Sequence, residues 1–256
     1  MNNIASILND QLLKQAFDQE PDAYRQLEQC QCMAQLYAHV ENSIAVLSDL
    51  KSEKSYLYYG GIASALGLSD QDICSEIDSI WEDAIFNLIH PDDLLQKHML
   101  ELQYFHYIKH VPHTKRYDYH VISKIRMRHQ SGQYIWISHR MYYVRNSSNG
   151  SIWLALCLYN FAHFSEQTES YEGCIVNSVT GQIIQSEKQE SGNLLSKREI
   201  EILRQIKIGK RSKEIADVFS ISINTVNRHR QNILEKLRVN NSIEACRVAS
   251  SLNLLT

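Results

Sequence analysis

Three prolines and nine glycines in 256 residues leave no room for a Pro- or Gly-rich disordered arm. Long apolar runs are also missing. The longest, Ile152 to Tyr159, is far below the ~18 residues that a membrane-spanning helix needs, so no membrane partner is expected. No basic residue precedes Lys14, so a secretory n-region is not expected. Cysteine is sparse and irregularly placed, at Cys30, Cys32, Cys74, Cys157, Cys174 and Cys246. Such usage predicts reduced thiols in a cytoplasmic protein rather than a disulfide framework. No Gly-rich phosphate loop, kinase signature or Ser-His-Asp order appears, which argues against an enzyme. The N-terminal half also lacks the alternating βα pattern of a receiver with a phosphorylatable Asp after a strand.

The net charge of −3 hides a division. Residues 196–256 carry 12 basic and 6 acidic side chains, a net of +6. The first 195 residues carry 14 basic and 23 acidic ones, a net of −9. A basic quarter on an acidic body points to a polyanion-binding module at the C-terminal end.

Four segments follow from the pattern: a helical extension over 1–42, a mixed body over 43–165, a hairpin and linker over 166–194, and a helical module over 195–256. In the extension, Ile4, Ile7, Leu8, Leu12 and Leu13 recur at helical spacing; Leu27, Met33, Ala34 and Tyr37 make a weaker second stripe. Ser43–Leu50 and Ser55–Tyr59 read as paired strands closed by Gly60-Gly61, with short helices near Ile62–Leu66 and Trp81–Ile89. A long helix is expected after Pro91, with Asp92 and Asp93 in the first turn, where carboxylates meet the positive end of the dipole. Its predicted face is Leu95, Met99, Leu102 and His106, widened by Leu94, Phe105 and Ile108.

Three strands come next. Tyr119, Val121, Ser123, Ile125 and Met127 alternate with polar residues, the mark of a sheet with one solvated face. Ser131-Gly132 and Asn149-Gly150 turn the chain into Tyr134–Val144 and Ser151–Tyr159; the last strand is apolar on both faces and belongs at the sheet's centre. A smaller hairpin, Cys174–Val176 with Gln182–Ile184, precedes the polar linker Ser186–Asn193.

Ile89-His90-Pro91-Asp92-Asp93, Arg126-Met127-Arg128 and the run Gly132-Gln133-Tyr134-Ile135-Trp136 carry a resemblance to the PAS domain over about residues 43–162. The resemblance implies a sensor. PAS relatives that bind flavin use a reactive Cys followed by an Arg-rich helix, which this chain does not reproduce, and no cofactor is expected. The aromatics between residues 104 and 161 fill a core; a small-molecule ligand among them is the alternative. His106 and His110, at i and i+4 with His113 nearby, have a spacing that can hold a metal or haem. No Cys or carboxylate supports them at a convincing distance, so no metal site is assigned.

The C-terminal sixty residues are more explicit. Ser196-Lys197-Arg198-Glu199 is a capping box opening a helix with Ile200, Leu203 and Ile206 inward, widened by Ile202 and closed by Gly209. A second helix from Ser212 buries Ile215, Ala216 and Phe219. Ser222 caps a third that reaches Leu237, and Asn241 or Ser242 caps a fourth with Ile243, Cys246, Ala249 and Leu252 inward. On the third helix Val226, Ile233 and Leu237 form the core seam. Asn224, Asn227, Arg228 and Gln231 lie on the opposite side. Arg suits guanine O6/N7 and the amides suit adenine N6/N7, so these four are the base-reading candidates.

Leu195 to Leu203, Gly209, Lys213-Glu214-Ile215-Ala216, Ile221-Ser222, Thr225-Val226, His229, Asn232-Ile233 and Lys236-Leu237 resemble the LuxR/GerE-type helix-turn-helix. The resemblance implies double-stranded DNA as partner, Asn227, Arg228 and Gln231 facing bases, and Lys213, Thr225, Arg230 and Lys236 near phosphates. It also implies a homodimer whose contact involves the fourth helix at Ala245, Cys246 and Ala249. Asn227 stands where the family commonly has Lys, and Arg211 where a small hydroxyl residue is common, so an operator cannot be borrowed. The expected protein is α+β: a PAS-like antiparallel sheet with N-terminal helices, then an all-α four-helix DNA-binding module that regulates transcription.

Overall fold

Period-2 alternation and a central apolar strand predict a one-sheet body, and the computed structural model has one. It describes residues 3–68, 74–162, 172–184, 195–237, 239, 241–251 and 254–255. The linker expected at Ser186–Asn193 and the inward Leu252 lie outside these residues. Chain contacts divide the protein into two compact units, Leu8–Gln185 and Ser186–Thr256 with Met1–Ile7. The fold is α+β, with the strands in the first unit and helices in the second.

Helices α1 (Asn3–Leu13) and α2 (Ala23–Val40) lead into strands β1 (Ile44–Asp49) and β2 (Lys54–Tyr59). After α3 (Ile62–Ala65), β3 (Cys74–Ile77) and α4 (Asp83–Phe86) comes the long helix α5 (Pro91–Lys109). A 3-10 segment, His113–Asp118, precedes β4 (Tyr119–Arg128), β5 (Tyr134–Asn146) and β6 (Ile152–Phe161). The hairpin β7 (Glu172–Asn177) and β8 (Ile183–Ile184) ends the unit. The sheet order is β3-β2-β1-β6-β5-β4-β7-β8, all neighbours antiparallel. β6 is central, as its two apolar faces require, and the small hairpin extends the same sheet through β4. The short edge strand β3 carries no apolar alternation that announces it.

Both faces of the sheet's middle are covered. Ala45, Leu47, Leu154, Leu156 and Leu158 form one face and pack with Cys30, Ala34 and Ala38 of α2. This stripe is offset from the predicted one: Met33 and Tyr37 point outward with Leu36 and Val40. Small residues win the inner positions because they let the helix backbone approach the sheet. Gly60 marks the same closeness, since a Cβ there would stand 2.3 Å from the Ala38 carbonyl oxygen.

The other face is assembled by register. Pairing of Ser123 with His139, Met141 with Cys157, His139 with Tyr159 and Val46 with Cys157 puts all these side chains on one side. Helix α5 packs on β4 and covers this side. It is buried more broadly than the predicted stripe: Lys97, His98 and Glu101 are as hidden as Leu102 and Phe105. Lys97 Nζ donates to Glu101 Oε1 at 2.7 Å, one turn on. The Tyr104 and Tyr143 rings stack at 4.8 Å between centroids.

The motif residues at the helix entry meet each other. His90 Nδ1 accepts from the Asp92 backbone N–H at 3.3 Å and caps the helix, while Pro91 needs no donor in the first turn. The buried Asp93 carboxylate accepts from the Arg126 backbone N–H (2.7 Å), Nε (2.9 Å) and Nη2 (2.5 Å). Asp93→Ala would orphan a backbone donor and a guanidinium together. We expect a loss on the order of 3 kcal/mol, typical of breaking a buried pair, in equilibrium denaturation of the full chain. A loss below ~1 kcal/mol would show that the clamp is not structural.

Candidate nucleic-acid interface

The second unit contains α6 (Lys197–Lys207), α7 (Ser212–Phe219), α8 (Ile223–Leu237) and α9 (Ser242–Ser251). Each start is fixed by a local bond. Ser196 Oγ accepts from Glu199 N–H and Glu199 Oε2 from Ser196 N–H, completing the capping box. Ser222 Oγ accepts from Thr225 N–H at 3.0 Å, and Asn241, not Ser242, caps α9 through Glu244 N–H at 2.9 Å. Gly209, at φ +88°, lets the chain leave α6 as Lys210 N–H bonds the Gln205 carbonyl. Ile202, Leu203, Ile215, Ala216, Val226, Ile233 and Leu237 are buried, so the predicted α8 seam is the core seam. Ile200, Ile206 and Phe219 are half-buried.

Glu199 has a second role that no periodicity signals. Its carboxylate is buried and also accepts from Lys236 Nζ at 2.7 Å, tying the start of α6 to the end of α8. Burial opposes its ionisation, but the Lys236 and Ser196 bonds prevail and hold its pKa below the usual carboxylate value. A charged residue three positions after a cap Ser is the one sequence signal for such a hub.

The base-reading candidates Asn224, Asn227, Arg228 and Gln231 are all exposed on α8, away from the seam. Gln231 Nε2 donates to Glu235 Oε1 at 3.1 Å, so the carboxylate at the helix's later turns borders this face. Thr225 is exposed, its Oγ1 2.8 Å from Ser222 Oγ, and Lys213 is exposed on α7. Arg230 turns inward: its guanidinium donates to Ser242 Oγ at 3.0 Å and Ser212 Oγ at 3.5 Å, joining α8 to the starts of α9 and α7.

Two of the three expected dimer residues lie in the core of this unit. Ala245 and Ala249 are completely buried, and the half-buried Cys246 thiol faces the Leu203 carbonyl of α6. The small size of Ala245 and Ala249 serves close packing of α9 on α6, and of the three only Cys246 keeps exposed surface. Ile243, predicted inward, is instead 85% exposed.

In the first unit, His106, His110 and His113 do not converge. His106 Nε2 bonds Gln11 Oε1 at 2.5 Å, while His110 and His113 are exposed. Cys30 is buried and Cys32 exposed, as their opposite placement on a helix demands. Among the described residues, no helix is long and apolar enough to cross a membrane.

Lys236 is a test of the electrostatics. A depressed Glu199 pKa contributes stability above the unfolded value, ~4.3, and that stability is lost as pH falls through the folded value. Amide-exchange protection in residues 197–237 should therefore fall as pH is lowered from 6 towards about 3. Lys236→Met should lower protection at neutral pH and flatten this dependence; an unchanged profile would exclude the hub.

Comparison with known proteins places this geometry. Residues 193–249 match the family model for bacterial regulatory proteins, luxR family, and residues 58–157 match that of the PAS fold. YgeK of Escherichia coli K12, described as an uncharacterized response regulatory protein, is 42% identical over 71 residues, 28% of this chain and 48% of YgeK. The regulatory protein SdiA of the same strain is 45% identical over 60 residues, 23% of this chain and 25% of SdiA. The transcriptional activator AnoR of Acinetobacter nosocomialis is 41% identical over 81 residues, 31% and 34% of the two chains. The matches thus span half or less of each relative. Among solved structures, a Vibrio cholerae VqmA dimer is 18% identical, covering 90% of this chain and 88% of that one, with a TM-score of 0.28. At that score the likeness carries no argument. The two matched segments, in this order, identify the chain as a PAS fold followed by a luxR-family regulatory segment.

Proposed function

We propose that the protein is a transcription regulator of the cytoplasm that binds double-stranded DNA as a homodimer, with the PAS segment modulating the C-terminal helices. The carrying observation is the outward face of α8: Asn224, Asn227, Arg228 and Gln231 lie exposed on a helix whose opposite face is the core of a luxR-family segment. The net of +6 over residues 196–256 supports a polyanionic partner, and the relatives SdiA and AnoR are named as regulators.

In this reading α8 enters the major groove, with Arg228 pairing to a guanine edge and the amides to adenines. Lys213, Thr225 and the free N–H groups of Lys236 meet phosphates. Arg230 braces α8 through Ser212 and Ser242, and its guanidinium has further N–H donors for a phosphate. The two-fold contact uses the outer side of α9, where Ile243 presents an apolar side chain.

Arg228→Ala is expected to cost about 1–3 kcal/mol of specific binding and to relax preference at one base pair. Lys213→Ala should weaken all sequences alike and reduce the slope of log affinity against log salt by about 1. Selection of bound sequences from a random pool, followed by gel shifts across salt, measures both; unchanged preference in Arg228→Ala would overturn the α8 assignment.

Ile243→Asp addresses the dimer. It should weaken binding to paired half-sites while leaving a single half-site bound as before. Equal loss on both sites would place Ile243 elsewhere than at a two-fold contact.

A further inference from the structure

Beneath α5, the covered face of the sheet brings together three ligating side chains from three elements: Glu101 of α5, His139 of β5 and Cys157 of β6. All three are buried, and their oxygen, nitrogen and sulfur atoms lie within 4.8 Å of one another. We infer that this triad binds one divalent metal ion of borderline softness, zinc being the type, through thiolate, imidazole and carboxylate with one position left open.

The donor set is the first support. Zinc takes thiolate sulfur, imidazole nitrogen and carboxylate oxygen, and its open sites hold three protein ligands with a fourth position free. Geometry is the second. His139 and Cys157 are diagonal neighbours on adjacent strands, because His139 pairs with Tyr159 and Met141 with Cys157. His139 Nε2 lies 3.8 Å from Glu101 Oε1. Tetrahedral zinc with bonds of 2.0–2.3 Å needs ligand atoms about 3.3–3.8 Å apart. Side-chain shifts of about 1 Å or less close the triad.

The third support is an orphan. His139 Nδ1 is held by Ser123 Oγ at 3.1 Å, whereas Nε2 is fully buried without a hydrogen-bond partner. A buried ring nitrogen left unmatched is costly, and one oriented by a bond at its other nitrogen is how imidazole ligands are normally held. With the Nδ1 proton given to Ser123, the Nε2 lone pair faces the Glu101 carboxylate, an arrangement that a cation between them would resolve.

Charge balance is the fourth. Lys97 gives its ammonium to Glu101, and Glu82, also buried nearby, accepts from the Tyr159 hydroxyl at 3.3 Å. A dication together with Lys97 offsets the Glu101 carboxylate and the Cys157 thiolate with one positive charge over, which the Glu82 carboxyl matches once it ionises. On binding, the Cys157 S–H bond breaks, its proton passes to solvent, and the sulfur–metal bond forms; nothing is oxidised or reduced. One carboxylate can serve Lys97 and the metal together, an oxygen to each.

The full chain, stripped with a chelator and titrated with Co²⁺, tests the assignment. We expect one equivalent to produce the intense visible bands of four-coordinate cobalt and a thiolate-to-metal charge-transfer band, both erased by Zn²⁺. Cys157→Ser should lose the charge-transfer band. Ser123→Ala, which frees only the outer nitrogen of His139, should lower Zn²⁺ affinity about 10- to 100-fold with an unchanged far-ultraviolet spectrum. X-ray absorption of the zinc-loaded wild type should find one sulfur among nitrogen and oxygen ligands, a readout that stands if Cys157→Ser fails to fold. A folded wild type without these bands, a sulfur-free shell, or a band that survives in Cys157→Ser would overturn the site; exposed His110, His113 and Cys32 would account for the last two.

Discussion

The ion pair between Lys97 and Glu101 is the constraint around which the first unit is organised. Two opposite charges one helical turn apart face the interior, where each alone would be severely penalised. The face beneath them therefore cannot be wholly apolar. Ser123, His139, Cys157 and Tyr159 answer from three strands, and Glu82 from the segment before α4. Burial of this network pushes the Glu82 carboxyl up to about 7 despite the nearby lysine. Replacing such a network by well-packed aliphatics of similar volume is often neutral or stabilising, so stability alone does not account for it.

The second unit solves a different problem. Four short helices cannot be stable alone, and each has end groups to satisfy. Glu199 caps α6 and anchors Lys236, while Arg230 bridges to the first residues of α7 and α9. Ion pairs and caps thus substitute for a core too small to hold the helices by burial alone.

Much of this was legible in sequence where a single local rule operates. The capping box, the Val226–Ile233–Leu237 seam, the strand alternation from Tyr119 to Met127 and the central place of β6 each rest on periodicity or a cap. Legibility failed where tertiary context overrode local chemistry. The burial of Lys97, His98 and Glu101 lies outside the predicted apolar face of α5, because periodicity marks only apolar positions. On α2 the predicted Leu27 and Ala34 do pack on the sheet, but Cys30 and Ala38 take the places expected for Met33 and Tyr37 because steric closeness favours small residues there. Ile243 and Ala245 exchanged roles for the same reason. The interior triad was invisible, since its members lie 18 and 38 positions apart and only strand register unites them.

Arg230, Lys236 and Glu199 hold the frame, whereas no described hydrogen bond ties Asn224, Asn227 or Arg228 to it. Gln231 reaches only its exposed neighbour Glu235. Substitutions at such positions usually change stability by no more than about 0.5 kcal/mol. Selection can therefore rewrite that outer face residue by residue without passing through unfolded intermediates. On the proposed DNA-reading role, such changes alter what α8 contacts and leave the scaffold as it is.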